Sequence, residues 1–597
     1  MAFGAELGPD GTSFRLWAPL HDAIGLMIEG ESGPRAMAAG PDGWHVLHAA
    51  DVGPGALYKF VLPGGVAVPD PASRFQPRDV HGPSEVVDPS AYAWKTPHWR
   101  GRPWEECILY ELHVGAFTPQ GTFLAALERL DRLAALGVTA IELMPVADFP
   151  GDRSWGYDGV LPYAPDSSYG RPDDLKALVD GAHARGLMAF LDVVYNHFGP
   201  EGNYLPLYAP IFTDRHKTPW GDALNLDAAG AEPVRDFLIQ NAIYWIEEYG
   251  FDGLRLDAVH ALPDASPRHL LEDIAAGVRA AAKGRLVHLV IENEENDPDR
   301  IARDPGGVPR HYTAQINDDF HHVLHTAVTG EGDAYYADYA GRTALLGRAL
   351  AEGFAFQGEM MAYRGTPRGA PSAALPPTAF VAFLQNHDQV GNRALGDRIT
   401  AGAPVAAVRA AAAILLLCPE IPMLFMGEEW GAAQPFPYFC DFEPPLAEAV
   451  RQGRQMEFAR FPQFASADLR EQLPDPTSRA TFLSAKLRWE DAAVGLHKKW
   501  WDWYARVLAV RRAEIVPRLH GIAGNAGRWE MIDDSAVIVR WRLGDDSELA
   551  LAANLKPTPA LAADLPAGRP LWTEGSATDG RLGPWSAIFT LRSREAR

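Results

Sequence analysis

The chain has 597 residues, and its 77 acidic against 54 basic residues give a formal net charge of −23 at pH 7. This acidic excess argues against a protein that binds nucleic acid through a basic face. The presence of only 3 cysteines excludes a small disulfide-stapled scaffold, and the length is sufficient for a large barrel with attached modules.

The first residues and the longest apolar run carry no targeting or membrane signal. Residues Met1–Phe14 lack a basic start and a long apolar stretch, and the run Ala410–Cys418 is far shorter than the roughly 20 residues of a membrane helix. Cys107, Cys418 and Cys440 have no metal-ligand spacing, so we expect reduced, buried thiols and no zinc. These features predict a cytoplasmic protein that needs no membrane.

Residues 1–97 predict a small β-sandwich followed by a linker. Short alternating runs are separated by Gly, Pro and Asp turns, which is typical of strands with one buried face. The predicted inward-facing residues are Phe14, Leu16, Ala18, Trp44, Val46, Tyr58, Phe60 and Leu62. The Pro-rich stretch Pro69–Pro97 is interpreted as the linker.

From Cys107 onward, apolar runs alternate with amphipathic helical segments, a pattern that indicates a parallel sheet covered by helices. Eight strands are predicted: Cys107–Tyr110, Thr139–Pro145, Met188–Tyr195, Gly253–Val259, Leu286–Ile291, Tyr312–Ile316, Phe380–Gln385 and Ile421–Met426. Eight such units favour an α/β fold of the (β/α)₈ TIM-barrel type with long loops over an open doubly wound sheet. No dinucleotide-binding or P-loop glycine motif supports a nucleotide function.

The barrel is predicted to occupy residues 98–512 and to be followed by a second β-sandwich over residues 513–597. A helix over Trp500–Arg511 separates the two. Four strands are predicted beyond it: Ala536–Leu543, Glu548–Asn554, Pro570–Thr573 and Ala587–Leu591.

Reactive side chains are expected where the barrel strands end, because the C-terminal ends of all eight strands converge on one face. The polar residues at the ends of the third, fourth, fifth and seventh strands are Asp192, Asn196, His197, Arg255, Asp257, Glu292, His387 and Asp388. Carboxylates, histidines and an arginine are therefore expected to meet at one mouth.

This set of residues fits the hydrolysis of a glycosidic bond, which in a retaining enzyme needs an acid and a carboxylate about 5–5.5 Å apart. Strands four and five are neighbours, so Asp257 and Glu292 are predicted to flank one bond. Arg255 lies on the same side of its strand as Asp257 and is predicted to hold that carboxylate ionised. Glu292 has to carry a proton, which nearby negative charge and partial burial favour. Glu294 and Glu295 are rivals, but only Glu292 directly follows the apolar run.

The other polar side chains of the mouth are interpreted as substrate contacts. Asp388 is predicted to bind sugar hydroxyls and to favour a distorted ring, and His197 and His387 are natural hydrogen-bond partners for hydroxyls. A carboxylate placed like Asp192 often anchors a loop or an arginine instead of contacting substrate. His260 is equally consistent with a substrate contact and with a structural role.

Four of these segments resemble the ordered signature of the α-amylase family of glycoside hydrolases. They are Asp192–His197, Gly253–Asp257, Glu292 and Gln385–Gln389. The resemblance implies a double displacement with Asp257 as nucleophile, Glu292 as general acid/base and Asp388 as transition-state stabiliser. It also implies that the N-terminal sandwich is an immunoglobulin-like carbohydrate module of the type seen in branching and debranching enzymes.

Within that family, further segments are most similar to enzymes that release trehalose from a maltooligosyltrehalose. They are Tyr110–Thr118, Trp155–Gly159, Asn196–Tyr204, Lys217–Gly221 and Gln389–Arg393. The similarity implies hydrolysis of the α-1,4 bond next to the terminal trehalose, with no organic cofactor and no required metal ion. It also implies substrate contacts for Tyr157 and an aromatic sugar platform at Trp220, with Phe354 and Phe356 as further stacking candidates.

Two alternatives stay open at this point. One is a glycogen debranching or branching enzyme with the same sandwich–barrel–sandwich layout, although the segment ending in Asn196-His197 argues against branching enzymes. The other is an inactive carbohydrate-binding homologue, against which the intact Asp257, Glu292 and Asp388 argue. The expected partner is an α-glucan, with no nucleic acid and no membrane, and the sequence does not decide between a monomer and a homodimer.

Overall fold

The structure is a computed structural model that describes residues 3–458, 473–534, 536–561 and 565–593. It contains, in chain order, two antiparallel sheets, a closed parallel barrel and two further antiparallel sheets. The outer limits predicted for the first and last domains, residues 1 and 597, lie outside the described residues.

Two antiparallel sheets face each other at the N-terminal end, so the prediction of a β-sandwich is confirmed. Their strands are Gly4–Gly8, Gly11–Trp17, Gly25–Ile28, Arg35–Ala36, Ala38–Ala39, Trp44–Ala49, Leu57–Val61, Ala67–Val68 and Ser84–Glu85. Phe14 of one sheet and Tyr58 of the other pack edge to face with ring centroids 4.7 Å apart. Burial of alternate residues along Gly11–Trp17 accounts for the period-two pattern of the sequence.

The strand Trp44–Ala49 is buried in the opposite phase from the prediction. His45 is 1% exposed and its Nε2 bonds to the His21 carbonyl, whereas Val46 is 37% exposed. Because a histidine with a satisfied ring nitrogen can occupy a buried position, apolar character alone indicated the wrong face.

The segment over residues 69–97, which the sequence predicts to be a linker, is mostly buried up to Val86 and more exposed beyond it. Asp70 is buried and accepts hydrogen bonds from the Tyr58 hydroxyl at 2.7 Å and from the Ala72 amide at 2.8 Å. Asp180, on a barrel helix, accepts from the amides of Lys95 and Thr96. These bonds tie the segment to both the sandwich and the barrel.

Eight parallel strands close into a barrel, as predicted. They are β1 (Leu109–Leu112), β2 (Ala140–Leu143), β3 (Met188–Val193), β4 (Gly253–Leu256), β5 (His288–Ile291), β6 (Ala314–Ile316), β7 (Phe380–Phe383) and β8 (Ile421–Phe425). Strand β8 pairs with β1 and completes the ring. Every residue of these strands is buried, which explains why their sequences are mainly apolar.

Helices surround the barrel except in its fifth unit. The longer ones are Leu130–Leu136, Pro172–Ala184, Ala231–Glu247, Leu270–Ala281, Asp318–Thr329, Thr343–Glu352, Val405–Leu417, Leu446–Phe458, Arg479–Ala485 and Gly495–Val510, and the shorter ones are Val114–Phe117, Phe123–Leu127, His387–Gly391 and Ile399–Gly402. Residues 292–313, all of which the structure describes, contain one 3₁₀ turn, Pro298–Ile301, and no α-helix. Pro298, Pro305 and Pro309 lie in this segment and disfavour a helix there.

The C-terminal module is built from two antiparallel sheets. Its strands are Gly527–Asp533, Ala536–Arg542, Glu548–Asn554, Arg569–Glu574 and Ser586–Arg592 in one sheet, with Ala560–Leu561, Ala577–Thr578 and Arg581–Leu582 in the other. The predicted helix and four strands are present, and four strands are additional: Gly527–Asp533 and the three short strands of the second sheet. Trp541 Nε1 donates to the Leu350 carbonyl at 2.9 Å, which joins this module to a barrel helix.

Among the residues that the structure describes, none of the helices has both the length and the apolar character required of a membrane span.

Candidate active site

One buried guanidinium group contacts carboxylates from three neighbouring strands. Arg255, on β4, is 2% exposed, and its Nη1 donates to Asp192 Oδ2 at 2.6 Å and to Asp257 Oδ1 at 2.7 Å. Its Nη2 lies 2.9 Å from Glu292 Oε2. Asp192 and Arg255 are direct partners in the β3–β4 register, and Glu292 directly follows β5. The predicted convergence of strand-end residues is therefore present around one cation.

Asp257 receives a hydrogen bond on each carboxylate oxygen. Arg255 donates to Oδ1, and Asn196 Nδ2 donates to Oδ2 at 2.8 Å and to the Asp257 carbonyl at 2.9 Å. Donors to both oxygens fix the orientation of the carboxylate. The side chain is 10% exposed, so a small part of the carboxylate is open to the mouth.

Glu292 is held by a backbone amide that is turned toward it. The Ala258 N–H donates to Glu292 Oε2 at 3.0 Å, and Ala258 has φ 38 and ψ 53, in the left-handed region. For a residue with a Cβ this conformation costs roughly 1–2 kcal/mol. The Arg255 and Ala258 contacts both use Oε2 and not Oε1. Glu294 and Glu295 are exposed at the rim.

Asp388 lies beside a histidine whose two ring nitrogens are both engaged. Asp388 Oδ2 lies 3.4 Å from His387 Nε2, which is also 2.7 Å from the Tyr157 hydroxyl. His387 Nδ1 is 2.6 Å from Glu111 Oε1. Burial works against a charged imidazole, but Asp388 and Glu111 outweigh it and raise the pKa of His387 to about 10. Burial raises the pKa of Asp388, which His387 opposes.

An aromatic and histidine pair lines the rim on the β3 side. The His197 ring stacks on Trp220 with centroids 4.4 Å apart and 12° between planes, and His197 Nε2 is 2.9 Å from the Tyr157 carbonyl. Burial lowers the pKa of His197, which favours the neutral ring. Trp220 is 50% exposed, so one face is accessible for a sugar. His260 is exposed, and its Nδ1 accepts from the Glu294 amide at 3.4 Å.

The prediction that Phe354 and Phe356 stack on sugar is wrong. They are 0% and 1% exposed, and their rings pack against Phe380 at 5.1 Å and Tyr339 at 5.2 Å, respectively. Both side chains belong to the core because the loop that carries them folds inward. The aromatic residue exposed farther along this segment is Tyr363, at 59%, which the sequence pattern does not single out.

Asp192 anchors the arginine and does not present a carboxylate to the mouth. Its side chain is 1% exposed, and its Oδ2 accepts from both Arg255 and the Tyr157 hydroxyl. Burial raises the pKa of Asp192 to about 7, against the lowering effect of Arg255. The assignment of Asp192 to substrate binding is corrected accordingly.

Three further carboxylates around the mouth are not among the residues predicted from the strand ends. Glu111 on β1 and Glu142 on β2 are buried partners in the strand register, and Asp318 begins the helix after β6. Burial, followed by the charges of Glu111 and Asp192, raises the pKa of Glu142 to about 8. Burial, followed by the charge of Glu292, raises the pKa of Asp318 to about 8. An acidic residue within an otherwise apolar strand is the sequence signal that identifies the first two.

Within the described parts of the chain, no three His, Cys, Asp or Glu side chains form a group suited to a metal ion.

Comparison with known proteins gives matches over the whole chain. The model of the alpha amylase catalytic domain matches residues 98–207, and that of a domain of unknown function, DUF3459, matches residues 524–589. A malto-oligosyltrehalose trehalohydrolase from Deinococcus radiodurans is 41% identical over 98% of this chain and 94% of its own length. One from Saccharolobus solfataricus is 42% identical over 82% of this chain and 84% of its own length.

A solved structure matches equally broadly. The 1.4 Å crystal structure of a Salmonella typhimurium protein described as a candidate alpha amylase has a TM-score of 0.94 and 46% identity, and the match covers 99% of this chain and 100% of that one. The identity to the trehalohydrolases extends through the sandwich, the barrel and the C-terminal module. The chain therefore belongs to the malto-oligosyltrehalose trehalohydrolase family, whose catalytic domain is of the alpha amylase type.

Proposed function

We propose that this chain is a retaining glycoside hydrolase that cleaves the α-1,4-glucosidic bond next to the terminal trehalose of a maltooligosyltrehalose. The observation that carries the proposal is the joint contact of Arg255 with Asp257 and Glu292 at the mouth of the barrel. Two carboxyl groups bound to the two terminal nitrogens of one guanidinium are within reach of a single glycosidic bond. The names of the trehalohydrolase relatives support the choice of substrate.

In the first step, Asp257 attacks the anomeric carbon of the glucose on the non-leaving side. Glu292 gives its proton to the glycosidic oxygen, the carbon–oxygen bond breaks and trehalose departs. The product of this step is a glucosyl ester of Asp257. Arg255 and Asn196 hold the attacking carboxylate in place, and the Asp388 carboxylate stabilises the positive charge that develops on the sugar ring.

In the second step, the ionised Glu292 takes a proton from a water molecule, which attacks the same carbon and releases Asp257. Two inversions restore the original configuration, so the maltooligosaccharide leaves as the α-anomer. The sum of the two steps is the hydrolysis of one bond, with both carboxyl groups returned to their starting forms.

We assign the catalytic unit to residues 98–512, between modules at residues 1–97 and 513–597. In this assignment Trp220 and His197 form an aromatic wall for the sugar, and His260 binds hydroxyl groups. His387 is 1% exposed and both of its ring nitrogens are engaged, so it positions Tyr157 and Asp388 instead of contacting the sugar as the sequence predicts. We also propose a cytoplasmic location, supported by the three free, buried cysteines.

Product analysis with three substrates tests the proposal. The protein is incubated with maltotriosyltrehalose, maltopentaose and glycogen in parallel, and the products are separated by chromatography. We expect trehalose and maltotriose from the first substrate and much slower turnover of the other two. Absence of trehalose contradicts the proposal, and cleavage at glycogen branch points indicates a debranching enzyme instead. An absence of turnover on all three indicates a carbohydrate-binding homologue.

A further inference from the structure

Glu111 on β1 makes two direct contacts with the histidine that precedes the third carboxylate of the site. Its Oε1 is 2.6 Å from His387 Nδ1, and its Oε2 accepts from the His387 backbone N–H at 2.9 Å. Glu111 and His387 are 2% and 1% exposed. A two-point contact between buried groups fixes both the ring and the start of the helix that carries Asp388.

The hydrogen-bond partners of His387 favour donation from both of its ring nitrogens. The Tyr157 hydroxyl donates to Asp192 Oδ2 at 2.6 Å, and its oxygen also lies 3.3 Å from the Arg255 Nη1 donor. With its own proton committed to Asp192, the Tyr157 oxygen accepts from His387 Nε2. His387 Nδ1 faces a carboxylate oxygen of Glu111, which also accepts. A histidine that donates on both sides is an imidazolium.

We propose that Glu111 is a positioning residue of this active site: its carboxylate keeps His387 as an imidazolium, and this cation keeps Asp388 ionised and oriented toward the sugar. The proposal rests on the function proposed above, because it gives Asp388 its role in the transition state. Glu111 itself contacts His387 and acts on the reaction through it.

Charged and titratable groups face His387 from several elements. They are Glu111 on β1, Glu142 on β2, Asp192 on β3, Arg255 on β4, Tyr157 in the loop after β2, and the adjacent Asp388. Asp388 additionally faces Glu292, Asp318 and Tyr335. His113 also faces His387, but burial lowers the pKa of His113 to about 4, so it adds no charge at neutral pH. His387 is thus the charged imidazole among these groups.

Glu111→Gln removes the charge while leaving the hydrogen bonds possible. The amide oxygen accepts from the His387 backbone N–H, and the amide nitrogen donates to an unprotonated Nδ1. His387 then carries one proton, on Nε2, and still donates to Tyr157. The variant therefore isolates the charge of the imidazolium from the packing of the pair.

The chain offers a matched control on the neighbouring strand. Glu142 is the direct register partner of Glu111 and is equally buried, and its Oε2 has no hydrogen-bond partner among the described residues. The raised pKa of Glu142, about 8, means that glutamine resembles its neutral form at pH 7. Glu142→Gln consequently tests for the effect of placing an amide inside the barrel without removing a charge.

The kinetic test is the pH profile of kcat and KM for Glu111→Gln, Glu111→Asp and Glu142→Gln with maltotriosyltrehalose. Loss of the neighbouring cation raises the pKa of Asp388, so the acidic limb of kcat in Glu111→Gln is expected to move to higher pH by about one unit, with kcat on that limb falling about tenfold. KM and the melting temperature are expected to change little. Glu111→Asp keeps the charge, and the acidic limb of its kcat profile is expected to lie closer to that of the wild type. Glu142→Gln is expected to leave the acidic limb at the wild-type pH.

A limb that does not move in a folded Glu111→Gln variant overturns the proposal. Equal shifts in Glu111→Gln and Glu142→Gln also overturn it, because they indicate an effect of the buried amide that does not depend on loss of the Glu111 charge.

A spectroscopic measurement on the wild type needs no substrate and therefore separates this proposal from the proposed function. Nitrogen-15 spectra of histidine-labelled protein, with the His387 signals assigned from His387→Gln, report the protonation of both ring nitrogens. At pH 8, where an unperturbed imidazole of pKa about 6.5 is mostly neutral, we expect two protonated nitrogens at His387. A neutral His387 overturns the proposal even if trehalose is released, and an imidazolium supports it even if Glu111→Gln fails to fold.

Discussion

The sequence pattern predicts the positions of the carboxylates at the strand ends better than the positions of the aromatic residues in the loops. Asp257 and Glu292 both contact the Arg255 guanidinium group, as the order of the parallel strands predicts. Among the aromatic residues, Trp220 is exposed at the rim, whereas Phe354 and Phe356 are buried in the core. Both sets are suited to bind a sugar, so chemistry alone does not explain the difference.

The difference arises from what fixes each side chain. A closed barrel determines which strand ends are adjacent, so a residue directly after β4 or β5 has a fixed position at the mouth of the barrel. A loop side chain is placed by contacts distant in sequence, as when Phe356 packs on Tyr339 and Phe354 on Phe380. Three substitutions test this contrast between catalytic carboxylates, a core aromatic and a rim aromatic.

The largest effect is expected from Glu292→Gln. Loss of the proton donor is expected to lower kcat on maltotriosyltrehalose by about 100- to 10,000-fold, while substrate binding is largely retained. Glu294→Gln and Glu295→Gln are matched controls two and three residues away, on exposed side chains. Near-normal turnover in Glu292→Gln, with a large loss in one of these two controls, would show that the general acid is Glu294 or Glu295.

The next effect in size concerns the fold and not the reaction. Phe354→Ala leaves a cavity beside Phe380 and is expected to lower the free energy of unfolding by about 3–5 kcal/mol. Chemical denaturation measures this loss, and KM measured on the remaining folded protein is expected to stay near the wild-type value. A raised KM with unchanged stability would restore Phe354 to the sugar-binding surface.

A smaller effect is expected at the rim. Trp220→Ala removes an exposed ring, and if its contact with a sugar equals that of an aromatic pair, about 0.5–1.5 kcal/mol, KM is expected to rise up to about tenfold. The melting temperature is expected to change little, and Trp220→Phe, which keeps a ring, is expected to recover most of the affinity. An unchanged KM in Trp220→Ala would show that this ring packs against His197 and does not bind the substrate.

Much of the architecture is predictable from the sequence because burial on both faces produces mainly apolar runs. All eight barrel strands and both β-modules are found where these runs and alternations indicate. Polar residues in buried positions are not predicted correctly from apolar patterns. His45 reverses the predicted phase of its strand, and Glu111 and Glu142 lie inside the barrel, where an apolar pattern assigns no function. Prolines between β5 and β6 likewise explain a missing helix that counting repeat units does not reveal.

The site is predictable to the extent that it consists of strand ends. Asp192 is at a strand end, but its role as an anchor follows only from the Tyr157 and Arg255 contacts, which join distant segments. The protonation of His387 depends in the same way on Glu111, 276 residues away in the chain. Such roles are properties of the packed network and not of any local motif.

The configuration of the newly formed sugar end tests the central claim most directly. Proton NMR during the first turnovers of maltotriosyltrehalose distinguishes the α- and β-anomers of the released maltotriose before they equilibrate. The account, in which Asp257 forms a covalent intermediate and Glu292 acts twice, predicts that the α-anomer appears first. Initial release of the β-anomer would show a single displacement by water and would contradict the assignment of Asp257 as nucleophile.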